Sequence, residues 1–142
     1  MYQFVTFLHT IGAVGMGLYL LLPFLVGRVT QLTGDGQAGL ADGLVFANRI
    51  AQYCLVLQLL TGGYMMSQSD YTVLWMVLIT VLFLAIAALG GIAAKPLKRI
   101  ATAIQSGQSA SAHIARVRMF SIIILILYIA IIYLMQYPDY RA

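Results

Sequence analysis

Residues 72–94 read Thr-Val-Leu-Trp-Met-Val-Leu-Ile-Thr-Val-Leu-Phe-Leu-Ala-Ile-Ala-Ala-Leu-Gly-Gly-Ile-Ala-Ala, without a single charge. About 20 such residues in an α-helix cross the hydrocarbon core of a bilayer. Lipid offers no water to unpaired N–H and C=O groups, so a lone apolar segment of this length satisfies them as helix. Working outward, three further stretches have the same character: roughly Tyr2–Val26, Leu44–Met66 and Met119–Tyr137. The expected fold class is all-α: a polytopic membrane protein whose spans form an antiparallel four-helix transmembrane bundle, since short connections make sequential helices antiparallel neighbours. One domain covers 1–142, with spans at about 2–26, 44–66, 72–94 and 119–137 and loops at 27–43 and 95–118.

Composition supports this reading. The chain is 62% hydrophobic and 8% charged, where a soluble domain carries roughly 25% charged residues. That balance excludes a soluble enzyme, a nucleic-acid binder and a disordered regulator. One cysteine, Cys54, rules out an intramolecular disulfide, and no Cys/His spacing suggests zinc. The start Met-Tyr-Gln-Phe lacks the basic region of a cleaved signal peptide, so the first apolar stretch reads as a span.

The breaks between spans carry the loop chemistry. Gly27-Arg28 closes the first span and Thr33-Gly34-Asp35-Gly36 reads as a loop. Ser67-Gln68-Ser69-Asp70 is a hairpin connection, and Lys95-Pro96 is expected to stop the third span. Arg28 and Arg49 flank the first loop, and Lys95, Lys98, Arg99, Arg116 and Arg118 flank the third, with Arg141 on the other side. The positive-inside rule makes the first and third loops cytoplasmic and places both termini outside. Trp75, Tyr71, Tyr64, Tyr2 and Tyr137 form an expected aromatic belt at the outer surface. In the third loop, Ile100, Ala103, Ile104, Ile114 and Val117 recur at helical spacing, interrupted at Ser106-Gly107-Gln108-Ser109. Two short interfacial helices or a solvated loop both fit that pattern.

An ionisable group inside a span is a functional candidate by default. No carboxylate lies within the four spans, which argues against carboxylate proton relays and paired-acid hydrolysis. His9 is the one intramembrane histidine, about 10 Å below the outer surface. It shares a helix face with Gly12, Ala13 and Met16. Imidazole ligates metals and haem iron. Met65, Met66, Met76 and Met135 fall in the same half of the membrane, and thioether sulfur suits Cu(I) or a second axial haem position. Asn48, Arg49 and Gln52 make a polar cluster at the inner end of the second span, where Arg49 could pair with a propionate or a quinone head group. Each of these also has a packing role open to it: a histidine bonded to a neighbouring helix, gap-filling methionines, an arginine that snorkels. The glycines let helices approach closely.

Several short elements resemble a known group. Phe7-Leu8-His9-Thr10-Ile11-Gly12-Ala13, Leu60-Thr61-Gly62-Gly63-Tyr64, Leu74-Trp75-Met76, Lys95-Pro96-Leu97, and Leu134-Met135 with Pro138 are similar to an uncharacterised four-span bacterial family of the CopD-like group, distantly similar to HemJ-type and copper-resistance membrane proteins. The resemblance implies an axial haem ligand at His9. The later helices depart from the HemJ pattern, so no oxidase activity is carried over. The expected function is a bacterial cytoplasmic-membrane protein holding haem b, in electron transfer or haem handling, with a quinone as candidate partner and membrane oxidoreductase as the candidate enzyme class. His9, Gly12, Met16 and Arg49 are the cofactor candidates, and His9, Met66 and Met135 the metal candidates. The alternative is a cofactor-free accessory subunit of a larger complex, with copper or small-solute transport ranked below both. Self-association or a partner membrane subunit is expected because a single bundle has little interior for a cofactor.

Overall fold

The computed structural model describes residues 1–140; Arg141, counted above among the flanking cations, lies outside them. Five helices follow in order: α1 (Tyr2–Gly15), α2 (Leu18–Val29), α3 (Gly34–Ser67), α4 (Val73–Gln105) and α5 (Ser111–Gln136). Taken with α1 and α2 as one stave, four helices are long and apolar enough to cross a membrane. The start of α1 meets the end of α3 through Tyr2 and Ser69, and the start of α4 meets the end of α5 through Thr72 and Asp139. We call this the terminal end, and the opposite one, rich in arginine and lysine, the basic end.

The first stave is not one helix. At Met16-Gly17 the ladder tightens to three-residue spacing: Gly17 N–H donates to Val14 O at 2.9 Å and Tyr19 N–H to Met16 O at 3.0 Å. Glycine is a poor helix former, and Gly12, Gly15 and Gly17 crowd this point. The switch frees the Ala13 carbonyl, which an uninterrupted helix would pair with Gly17. Tyr128 of α5 supplies the missing donor, its hydroxyl lying 2.6 Å from Ala13 O.

The connections are shorter than the sequence suggests. Segments 27–43 and 95–118, expected as loops, are largely helical. Gly34 turns the chain into α3 through a φ of +61°, a left-handed conformation suited to glycine, and α3 then runs unbroken for 34 residues. Pro96 does not stop the third span. Its ring removes one ladder bond, but Pro96, Leu97, Ile100 and Ala101 are buried in the core and packing holds the helix on course. The true stop comes at Gly107, with φ +72°. There Gln108 N–H donates to Ala103 O at 2.8 Å and Gly107 N–H to Ile104 O at 3.2 Å, the double bond pattern of a Schellman cap. The helical spacing seen around Ile100 and Ile114 therefore belongs to extensions of α4 and α5. At 1.5 Å per residue α3 and α4 are each about 50 Å long, against about 30 Å of hydrocarbon.

The deepest core lies toward the basic end, where Tyr19, Leu22 and Val26 of α2 pack with Ile86 and Leu97 of α4 and Ile124 of α5. The Tyr19 ring sits where Gly90 would otherwise carry a Cβ. Its hydroxyl donates to Asn48 Oδ1 at 3.5 Å, and Asn48 Nδ2 donates to Gly90 O at 3.4 Å. This pin accounts for Asn48 as a structural residue.

Candidate functional site

Toward the terminal end the helices separate around a cavity of about 440 Å³, within the usual range for a small-molecule or cofactor pocket. α1 packs along α3, and α4 packs along α5. The tightened turn at Met16-Gly17 carries the first stave over to α2, which packs against α5 and α3. The pocket occupies the space left between α1, α3, α4 and α5.

His9 lines this cavity, and its environment specifies which ring nitrogen is available. Its Nδ1 lies 2.8 Å from the Thr61 hydroxyl, and that hydroxyl lies 2.8 Å from the Leu57 carbonyl one turn back on α3. A hydroxyl has one proton. Donated to Leu57, it leaves the oxygen to accept from His9 Nδ1–H, a tautomer assigned from the hydrogen-bond network. Nε2 has no protein partner among the described residues and keeps its lone pair. Thr61 is 5% exposed and rigidly helical, so the ring is held in orientation. Gly62 makes room for it: a Cβ there would lie 3.4 Å from His9 Cε1.

Methionines gather around the same space. Met16, Met65, Met66 and Met135 line the cavity with His9, whereas Met76 turns to a shallow surface patch beside Val73 and Val77. Gly12 lies at the α1–α3 seam, where the Gln58 side chain occupies the space a Cβ would take. The Gln58 Oε1 atom is buried without a conventional partner among the described residues, facing the Gly12 Cα–H, a weak contact found at helix interfaces. Arg49 is exposed and 13 residues from Gly62 along α3, about 20 Å away. The structure therefore brings His9, Met16, Met66 and Met135 together, places Gly12 in the supporting seam and leaves Arg49 outside the site.

The aromatic residues expected in an interfacial belt divide. Tyr71 and Trp75 are buried at 8% and 6% exposure. Tyr71 stacks on Trp75 at 4.4 Å and on Tyr140 at 5.0 Å between ring centres. Trp75 Nε1–H donates to Leu134 O at 2.9 Å, and Thr72 joins Asp139 through its hydroxyl at 2.9 Å and its N–H at 2.9 Å. These bonds draw residues 137–140 across the start of α4 as a roof. Burial, and next a hydrogen bond with Tyr140, hold the Tyr71 phenol above its ordinary pKa.

Two functional positions were not singled out from sequence: Thr61 as the partner of His9, and Tyr128 as the partner of Ala13. Depth was the available signal for the first. His9 lies seven residues into α1 from the terminal end and Thr61 six residues into α3 from the same end. No three His, Cys, Asp or Glu side chains form a metal-binding group among the described residues. Comparison with protein families, curated proteins and solved structures finds no match to the chain.

Proposed function

We propose that this is a four-span antiparallel bundle of the bacterial inner membrane, with both termini outside, that holds a b-type haem through His9 and serves electron transfer or haem handling. One observation carries the reading: Thr61 fixes Nδ1–H of an intramembrane histidine, leaving Nε2 unprotonated beside an apolar cavity. This is the arrangement in which a second partner orients an imidazole ligand. The resemblance to the CopD-like group points the same way. Bound haem would supply one-electron chemistry; His9 would hold its iron, and Met66 or Met135 would offer a second donor. Quinone remains the candidate redox partner, without Arg49 as its anchor.

The purified full chain from haem-replete cells tests this reading. It should carry a b-type absorption spectrum that His9→Ala abolishes and Thr61→Val weakens or shifts. Met66→Leu or Met135→Leu should change spin state or potential if that sulfur is the second ligand. A colourless preparation that takes up no added haem would overturn it.

One observation favours a second reading: a single histidine surrounded by thioethers also suits Cu(I). Copper that copurifies with the chain and is lost in His9→Ala, without a haem spectrum, would establish it. The alternative is a cofactor-free accessory subunit of a larger membrane complex; Gly12 and Gly15 pack within the chain against Gln58 and Cys54. Gly91 stays exposed, so Gly91→Leu tests the expected self-association by its effect on detergent-resolved mass.

A further inference from the structure

The way into the cavity can be read from its walls. At the terminal end the roof of Tyr71, Trp75 and Tyr140 is stacked and tied to the end of α5. The flanks are built differently. Thr10 on α1 and Ile132 on α5 line the cavity and are nevertheless exposed. Gly63, Met135 and Gln136, nearer the terminal end, also line it and are exposed, so the packing of the helices decides the route. α1 packs with α3, α3 with α4 and α4 with α5, but α1 and α5 are not a packed pair. The side opening lies where α1 parts from α5. Between α1 and α5 the one hydrogen bond among the described residues is Tyr128 to Ala13, at the inner end of α1. Thr10 is eight residues in from the terminal end of α1, about 12 Å deep. Helices that span a bilayer face acyl chains at that depth, not water.

We propose that the cavity is loaded sideways from the bilayer: its ligand is a membrane-dissolved amphiphile with an apolar body, which passes between α1 and α5 to reach His9, and not a water-borne solute from the terminal end. The lining suits such a molecule. Most of it is hydrocarbon and thioether, and among its few polar groups His9 Nε2 is able to meet a metal centre or a hydroxyl donor. The inference rests on the cavity being a ligand site, but not on that ligand being haem.

Trp75 is the chain's one tryptophan and lines the cavity, so it reports on what enters. The full chain, without added ligand, is reconstituted in phosphatidylcholine vesicles with brominated acyl chains and in unbrominated ones. Fluorescence is compared between them, with iodide in the water as a second quencher. Brominated chains should quench Trp75 and iodide should not. Thr10→Phe/Ile132→Phe, which narrows the opening from both sides at exposed positions, should lose most of the brominated-lipid quenching, while Thr10→Ser/Ile132→Val should keep it. Strong iodide quenching with little from brominated lipid would show a cavity open to water and overturn the proposal. Quenching that the phenylalanine variant leaves unchanged would trace it to the outer side of α4 and overturn it equally. A colourless protein that gives the expected pattern removes haem but keeps the lipid route; a haem-binding protein without the pattern does the reverse.

Discussion

The two halves of this bundle are made of similar residues and do opposite things. Toward the basic end, small residues sit opposite large ones: Gly90 receives the Tyr19 ring, and Tyr19, Leu22, Val26 and Ile124 are wholly buried. Toward the terminal end, His9, Ile79 and the methionines surround a space that the protein leaves open. Apolar content does not separate the halves. What separates them is α2, which the turn at Met16-Gly17 brings against α5 and α3, while α1 stays with α3. A closed core supports an open one.

Substitutions on each side of that boundary sharpen the contrast, and detergent unfolding followed by circular dichroism ranks them. Ile124→Ala should cost most, about 2–5 kcal/mol, because its wholly buried site cannot collapse freely. Gly90→Val drives a branched side chain into the Tyr19 ring and should cost about 1–3 kcal/mol. Tyr128→Phe leaves the Ala13 carbonyl without its donor at the boundary; about 1 kcal/mol is expected, in line with hydrogen bonds between membrane helices. Ile132→Ala, on the exposed flank of the cavity, should stay within about 0.5 kcal/mol. An Ile132→Ala effect as large as that of Ile124→Ala would show that the halves are packed alike.

Much of the fold was legible in hydropathy, because length and apolar content are what a span requires. The extent of the helices was not. Pro96 read as a stop, yet the burial that carries α4 past it comes from residues on other helices. Gly107, seen as an interruption, was the real terminus. At the site, His9 stood out because an ionisable group within a span is costly, and Met66 and Met135 followed from their depth. Thr61 looked like part of a short Thr-Gly element; only the pairing of α1 with α3 shows that its hydroxyl faces the imidazole. Arg49 does not line the cavity, and sequence could not show this because cations near a span's end serve lipid anchoring and ligand pairing equally well.

The staves of the bundle also differ in continuity. α3 is a single helix from Gly34 to Ser67 that carries Gln58, Thr61, Gly62 and Met66 toward one end. The ladder of the first stave is interrupted at Met16-Gly17. One continuous hydrogen-bond ladder therefore joins the basic end of α3 to the hydroxyl that orients His9, whereas the residues that carry α2 and those that carry His9 belong to two separate ladders.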